Sequence, residues 1–188
     1  MTTPLLITPR PCSHFDDRPT PDDISLLVIH NISLPPGEFN TPYIDDFFMG
    51  RLDCDAHPYF AQLRGVRVSA HCVIYRDGRI YQYVPFNKRA WHAGLSLFDG
   101  RDKCNDFSIG IELEGTDDQP YTDMQYQQLA HLSVQLLHAY PALSIERIVG
   151  HSDIAPGRKT DPGPLFDWPR YKTMVQSISK TFRQGAST

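Results

Sequence analysis

The sequence has no long apolar run and no cluster of basic residues. Its longest apolar stretch, Leu26 to Ile29, is far shorter than the roughly 20 residues that a membrane-spanning helix needs. Lys and Arg number 18 against 22 Asp and Glu, which gives a formal net charge of −4. A protein that binds nucleic acid or an anionic membrane carries a basic patch. We therefore expect neither a nucleic acid nor a membrane as partner.

The sequence also has no closely spaced pair of cysteines. Cys12, Cys54, Cys72 and Cys104 are far apart and form no C-x-x-C motif. The amino-terminal stretch has no cationic region, and its short apolar segment is interrupted by prolines, so it does not resemble a secretory signal. An even number of cysteines permits disulfides, but without a signal we favour free thiols in a reducing cytoplasm.

Length and composition are those of one globular domain. The 188 residues are 40% hydrophobic, which is enough for a substantial core. Because no repeat or low-complexity tract divides the chain, we predict a single domain over residues 1–188. Within it we expect an irregular, Pro- and Asp-rich arm over about 1–24 and a frayed tail over about 181–188.

Strand and helix patterns alternate between these ends. Short apolar or β-branched runs predict strands, and three- to four-residue apolar spacing with capping signals predicts helices. The predicted strands cover 25–30, 68–75, 79–84, 107–114 and 147–150, and the predicted helices cover 43–49, 123–136 and 168–178. This order predicts an α/β domain in which helices flank a central mixed sheet.

The strand at 107–114 carries a charge in its middle. Its side chains alternate between two faces. One face is apolar (Phe107, Ile109, Ile111, Leu113) and the other is small or acidic (Ser108, Gly110, Glu112, Glu114). The small residues leave room for a ligand beside Glu112. A buried charge is costly unless it is paired, metal-linked or functional, so Glu112 is a functional candidate or a carboxylate with an ordinary partner.

Two histidines and one aspartate form a candidate metal site. His30 ends one predicted strand and His151 follows another, and Asp161 comes ten residues after His151 in a loop rich in Pro and Gly. Two imidazoles and one carboxylate leave a tetrahedral ion one open position, as in catalytic zinc sites. Spacing alone leaves structural histidines as the alternative. Lys159 either reaches this site or is a solvated loop lysine.

The other histidines have weaker signals. His71 is predicted to have a supporting role inside a strand, and His92 to line a groove without binding metal. The remaining ones are treated as ordinary residues (His14, His57, His131, His138). No nucleophile and base pattern competes, because nothing in the sequence places Cys104 beside a base.

Five blocks of sequence, in order, resemble one known family. They are HNISLPPGEF (30–39), RVSAHC (67–72), KRAWHAG (88–94), CNDFSIGIELEG (104–115) and RKTDPG (158–163). The chain is similar, over about residues 12–175, to the zinc amidases. This family includes T7-type phage lysozyme, the peptidoglycan recognition proteins and cytoplasmic amidases that act on 1,6-anhydro-muropeptides. The resemblance implies the amidase fold.

The resemblance also implies a reaction and a set of site residues. It implies one Zn²⁺ per chain, held by His30, His151 and Asp161, with Glu112 and Lys159 as catalytic groups. The reaction would be hydrolysis of the amide between the lactyl group of (1,6-anhydro-)N-acetylmuramic acid and L-alanine, in peptidoglycan recycling. Relatives often have Cys where this chain has Asp161, and the harder carboxylate would alter metal affinity.

Contacts to the substrate are inferred less directly. The candidates are Asn31, Arg67, Trp91 and Lys103, of which Arg67 and Lys103 would hold substrate carboxylates and Trp91 would offer a flat apolar face. Relatives favour Arg at the position of Lys103, and Lys lacks the bidentate grip of Arg. The alternatives are that Trp91 belongs to the core and that Arg67 covers the hairpin. We expect a monomer whose partner is an anhydro-muropeptide.

Two alternative functions stay open. The first is a peptidoglycan-recognition module that binds without cutting. It is disfavoured because such proteins typically lack a zinc ligand, whereas His30, His151 and Asp161 are all present here. The second is an exported or phage-type lytic amidase that acts on intact cell wall, which keeps the chemistry and changes the compartment.

Overall fold

The computed structural model describes residues 5–185, which form ten strands and four α-helices. The strands are β1 (Ile7–Pro9), β2 (Phe15–Asp16), β3 (Leu26–Ile32), β4 (Cys72–Ile74), β5 (Ile80–Gln82), β6 (Arg89–Ala90), β7 (Leu97–Phe98), β8 (Arg101–Asp102), β9 (Ser108–Glu114) and β10 (Ile148–Gly150). The helices are α1 (Tyr43–Phe48), α2 (Asp123–Ala139), α3 (His151–Ile154) and α4 (Trp168–Gly185), with 3₁₀ turns at Pro58–Leu63, Cys104–Asp106 and Ile145–Arg147. None of the helices in this range is sufficiently long and apolar to span a membrane.

Six strands form the central sheet in the order β1-β5-β4-β9-β3-β10. All its neighbours are parallel except β4 and β5, which form the predicted hairpin with shorter strands than expected. Two small antiparallel ribbons, β2 with β6 and β7 with β8, lie outside it. The prediction of a mixed sheet flanked by helices is confirmed.

The centre of the sheet is the parallel pair β3 and β9. Their register sets His30 opposite Glu112. Leu27 and Ile29 of β3 join the core beneath α2 and α4, and Leu26 and Val28 pack into a separate cluster on the other face. Because side chains alternate along a strand, His30 continues the second face and lies away from the helices.

The predicted faces of β9 are confirmed except at its start. Ile109, Ile111 and Leu113 belong to the core that also contains Leu129 of α2. Phe107 precedes the strand and packs with Leu26 on the opposite face, so its predicted place was wrong. Phe107 does not have strand geometry, because it is the carboxyl-terminal cap of the preceding 3₁₀ turn, with φ −131° and ψ 10°.

The amino-terminal arm is more regular than predicted. Strand β1 pairs in parallel with β5, and β2 pairs with β6. The local sequence gave no strand signal because these strands are two to three residues long and take their partners from far along the chain. Pro9, which lacks an N–H group, is tolerated because β1 is the edge strand.

The carboxyl-terminal helix is longer than predicted. Helix α4 continues through Gly185, seven residues past the expected end near residue 178. The predicted frayed tail at 181–188 is therefore helical as far as residue 185, and residues 186–188 lie outside the described part of the chain.

Helix α2 is fixed at its start by a capping box. Thr122 Oγ1 accepts a hydrogen bond from the backbone N–H of Gln125 (3.1 Å), and Gln125 Oε1 accepts one from the N–H of Thr122 (3.1 Å). The buried Gln125 amide also donates to the carbonyls of Ile74 (3.2 Å) and Glu114 (2.9 Å). One side chain thus joins the helix to the ends of β4 and β9.

We predict that Gln125→Ala lowers the free energy of unfolding by about 2–4 kcal/mol, because it removes a cap and leaves two buried carbonyls without a donor. Gln127→Ala is the matched control, since Gln127 is exposed on the same helix, and we expect it to change the free energy by less than about 0.5 kcal/mol. Urea unfolding measures both. Equal effects for the two variants would contradict the structural role of Gln125.

Candidate metal centre

Three predicted ligands meet at the carboxyl end of the central sheet. His30 lies near the end of β3, and His151 begins α3 directly after β10. Because Gly150 of β10 pairs with Ile29, His151 lies beside His30. The Nδ1 atoms of the two rings are 3.0 Å apart, and Asp161 Oδ2 lies 3.0 Å from His30 Nδ1 and 3.1 Å from His151 Nδ1.

The donor atoms fit a divalent metal ion. His151 Nε2 is 3.1 Å from the carbonyl oxygen of Ala93, and because a carbonyl only accepts, this nitrogen carries the proton and Nδ1 is free. Burial lowers the pKa of His30 to about 4, so its ring is neutral near pH 7. Two imidazoles and a carboxylate converging in this way match the ligand set of a catalytic zinc ion.

Glu112 stands on the neighbouring strand, facing the same site. Its register partner is His30, and its Oε2 atom is buried and has no hydrogen-bond partner among residues 5–185. Burial raises the pKa of Glu112 well above its ordinary value, the charge of Asp161 adds to this, and the charge of Lys159 opposes it. A buried carboxylate oxygen without a hydrogen-bond partner is costly, which makes Glu112 a candidate functional group.

A cleft of about 650 Å³ opens over these residues. One wall is largely apolar, with side chains from α1, the 3₁₀ turn at 58–63 and the 91–92 segment (Phe47, Phe48, Tyr59, Leu63, Trp91). The opposite wall is polar and belongs to the loops after β9 and α3 (Thr116, Asp117, Arg158, Lys159, Thr160). The cleft can therefore hold a ligand with both apolar and charged parts.

Comparison with known proteins agrees with this geometry. A family model described as N-acetylmuramoyl-L-alanine amidase matches residues 20–164. The chain belongs to the N-acetylmuramoyl-L-alanine amidase family. The 1,6-anhydro-N-acetylmuramyl-L-alanine amidase AmpD of Salmonella typhimurium strain SL1344 is 62% identical over 165 residues, which are 88% of each chain.

Two solved structures are similar to this amidase. A crystal structure of a selenomethionine derivative of AmpD has a TM-score of 0.87 and 60% identity, covering 90% of this chain and 94% of that one. AmiD of Escherichia coli, solved with anhydro-N-acetylmuramic acid-L-Ala-D-γ-Glu-L-Lys, has a TM-score of 0.61 and 34% identity. That match covers 81% of this chain and 57% of AmiD. These matches confirm the expected amidase fold.

Of the predicted substrate contacts, Asn31 and Trp91 line the cleft of the amidase. The amide of Asn31 donates to Asp117 Oδ1 (2.8 Å) and to the carbonyl of Pro162 (3.3 Å), so it also holds the two loops of the polar wall. The indole N–H of Trp91 donates to Asp16 Oδ1 (3.2 Å), which fixes the ring.

The two predicted cations lie in different places. Arg67 is exposed, and its guanidinium lies 5.9 Å from the centre of the Trp91 ring, next to Val68 on the cleft wall. Lys103 is also exposed but is not among the residues that line the cleft. It caps the 3₁₀ turn at Cys104–Asp106 in a left-handed conformation with φ 60°. The structure therefore does not bring Lys103 to the site with the other candidates.

The room predicted beside Ser108 and Gly110 is already filled. The ring of His92 occupies it, with Nδ1 at 2.9 Å from His30 Nε2 and Nε2 at 3.1 Å from Ser108 Oγ. Gly110 is required for this packing, because a Cβ atom there would lie 2.4 Å from Cγ of His92. The small residues of β9 accommodate a neighbouring side chain and leave the ligand to the cleft outside.

Several supporting residues were not found from the sequence. Arg158 donates to the carbonyls of Ala93 (2.7 Å) and Leu95 (2.6 Å), which ties the loop after α3 to the segment that follows His92. Asn105 Oδ1 accepts from the backbone N–H groups of His92 (3.1 Å) and Ala93 (2.8 Å). The only sequence signal was that these residues lie inside the motif blocks.

His71 has the supporting role that the sequence predicted, although it immediately precedes β4 and does not lie inside a strand. It is fully buried, its Nδ1 accepts from the N–H of Gly110 (3.0 Å), and its Nε2 lies 3.0 Å from the carbonyl of Lys88. Burial lowers the pKa of His71 to about 3, so it stays neutral. The four cysteines are free thiols, as expected.

We predict that Gly110→Ala destabilises the amidase by about 1–3 kcal/mol, because the added methyl group overpacks the His92 ring. In a His92→Ala background the same substitution should cost much less, since the ring that it meets is gone. A double-mutant cycle by urea unfolding measures this coupling. An equal cost in both backgrounds would show that the methyl group clashes elsewhere.

Proposed function

We propose that this amidase uses a single Zn²⁺ ion, held by His30, His151 and Asp161, to cleave the amide between the lactyl group of 1,6-anhydro-N-acetylmuramic acid and L-alanine. The observation that carries the proposal is the convergence of two imidazoles and one carboxylate at about 3 Å. Glu112 faces them from the adjacent strand, and its buried Oε2 atom has no hydrogen-bond partner within residues 5–185. One chain supplies every group of the site.

The relatives support the choice of substrate. AmpD is named for amidase action on 1,6-anhydro-N-acetylmuramyl-L-alanine, and AmiD holds an anhydromuramyl peptide in its structure. The cleft is lined by apolar side chains and by polar ones of both charges, among them Lys159, which suits a sugar joined to a charged peptide. We therefore assign the role in peptidoglycan recycling to this chain as well.

Zinc, when bound, polarises the amide carbonyl and makes water more acidic. The protein must then move a proton, and Glu112 is placed to do so. Its carboxylate would take a proton from the attacking water as the C–O bond forms, and would return it to the alanine nitrogen as the C–N bond breaks. Burial raises the pKa of Glu112, which makes its carboxylate a stronger base and suits it to accept a proton.

Lys159 would stabilise the negative charge that develops on the amide oxygen. It lines the cleft, and it lies close enough to Glu112 for its charge to lower the pKa of that carboxyl. A donor that is held in place before the reaction needs no reorganisation, and losing one such donor costs about 3–4 kcal/mol in other enzymes.

We further propose that the enzyme acts as a monomer in the cytoplasm. The completeness of the site within one chain supports a monomer, because no residue needs to come from a second copy. The free thiols of all four cysteines are the state that a reducing compartment maintains.

The two halves of the site make separable predictions. Glu112→Gln should keep one zinc per chain and lose at least about 100-fold in turnover, because only proton transfer is removed. His30→Ala should lose the metal itself. Metal analysis of the purified variants and release of peptide from a soluble anhydro-muropeptide measure both effects. His131→Ala, on α2 and outside the cleft, is the control and should retain both.

A Glu112→Gln enzyme with near-normal turnover would remove Glu112 from the reaction. Wild-type protein without zinc, or with activity unaffected by chelation, would overturn the metal assignment. Intact sacculi are assayed as a second substrate. Faster release of peptide from sacculi than from soluble muropeptide would favour the lytic alternative, and binding without release of peptide would favour a recognition module.

Because Arg67 lies beside the cleft and Lys103 does not, we predict different effects on substrate binding when each is replaced. Arg67→Gln should raise KM for an anhydro-muropeptide about 10-fold, because Arg67 lies beside the cleft. This is the smallest loss of affinity expected when one hydrogen bond to a charged group is removed. Lys103→Gln should change KM by less than about twofold. Steady-state kinetics measures both, with kcat nearly constant in each. A larger effect for Lys103 would mean that the 93–103 segment reaches the substrate.

A further inference from the structure

We infer that His92 is a positioning residue, which holds His30 in the tautomer that leaves Nδ1 free to bind metal. The inference rests on the proposed function, since it concerns the same site. His92 has no ligand atom in the metal cluster, and its contact is with the far side of the His30 ring. It therefore acts on the metal only through His30.

The hydrogen bonds that link His30, His92 and Ser108 can run in only one direction if His30 binds metal through Nδ1. Binding through Nδ1 requires the proton of the neutral His30 ring to lie on Nε2. His30 Nε2 is 2.9 Å from His92 Nδ1, so this proton is donated to His92. His92 then carries its own proton on Nε2, which donates to Ser108 Oγ at 3.1 Å. Each nitrogen in the chain thus has a defined role.

The backbone keeps His92 in place, and the same segment serves the second ligand. Asn105 Oδ1 accepts from the N–H groups of both His92 and Ala93. The carbonyl of Ala93 accepts from His151 Nε2 at 3.1 Å. The dipeptide 92–93 therefore orients both metal histidines, through the side chain of His92 and through the carbonyl of Ala93.

Ring geometry supports positioning over simple packing. The rings of His30 and His92 meet nearly perpendicularly, with an interplanar angle of 84° and centroids 4.9 Å apart. An edge of His30 carrying Nε2 can therefore point at a nitrogen of His92. Groups that hydrogen-bond to the far nitrogen of a ligand histidine typically change metal affinity by about 10–100-fold.

Two substitutions of His92 separate its hydrogen bond from its bulk. His92→Asn keeps an acceptor oxygen near the position of Nδ1, and His92→Leu keeps the apolar volume without an acceptor. We expect His92→Leu to weaken zinc binding about 10–100-fold and His92→Asn to stay within about threefold of wild type. Competition with a chromophoric chelator at constant pH measures the zinc dissociation constant, and circular dichroism checks the fold.

A spectroscopic readout tests the tautomer without metal. Without metal, Asp161 Oδ2 lies 3.0 Å from His30 Nδ1 and competes with His92 for the ring proton. ¹⁵N NMR of the metal-free proteins should therefore find a larger fraction of His30 protonated on Nε2 in the wild type than in His92→Leu. Wild-type zinc affinity in His92→Leu, or equal losses in the Leu and Asn variants, would overturn the inference. So would equal Nε2-protonated fractions in the wild type and His92→Leu.

The remaining outcomes are also decisive. If His92→Leu does not fold, Ser108→Ala replaces it, because it removes the hydroxyl that hydrogen-bonds to His92 Nε2. A severalfold loss of zinc affinity in Ser108→Ala supports the inference, and no loss overturns it. If the wild type bound no zinc, the proposed function would fail, and the His30 tautomer would still decide the role of His92.

Discussion

The parallel pairing of β3 with β9 and β10 is the constraint on which the site depends. Through one register His30 stands opposite Glu112, and through the other His151 follows the residue paired with Ile29. A shift of one residue in either ladder would turn His30 or Glu112 towards the helix core, since strand side chains alternate. The two histidines proposed as metal ligands and the proposed proton carrier are therefore held together by backbone hydrogen bonds.

The two faces of the sheet divide stability from chemistry. One face is apolar and is covered by α2 and α4. The buried residues of this core come from along the chain, the first being Ile24 and the last Val175. The other face carries the histidines, whose nitrogens are satisfied by carbonyls, a serine and one another. Glu112 is the exception, with a buried oxygen that has no partner in residues 5–185. Leaving a buried oxygen without a hydrogen bond costs folding free energy, and such costs are typical of functional sites.

The sequence was sufficient for features that depend on local pattern. The alternation in β9 and the capping box of α2 were visible as residue types at regular spacing. The candidate ligands His30, His151 and Asp161 were visible from their residue types, their places at predicted strand ends and in a loop, and the family resemblance. Features that depend on contacts between distant segments could not be predicted from the sequence. The pairing of β1, the place of His92 over Gly110 and the hold of Asn105 on residues 92–93 each join segments with no local signal. Lys103 shows the converse, because a position next to a motif block does not imply a position at the cleft.

Arg18 gives the amino-terminal arm a larger role than its short strands suggest. This nearly buried guanidinium donates to four backbone carbonyls, those of Phe86, Asn105, Asp106 and Ser108. Two of these residues, Asn105 and Ser108, hold His92. The family match, however, begins at residue 20 and ends at residue 164. A recombinant fragment trimmed to those limits would omit Arg18 together with all of α4. Boundaries taken from the family match alone would therefore remove an anchor of the residues that hold His92 and one of the two helices that cover the core.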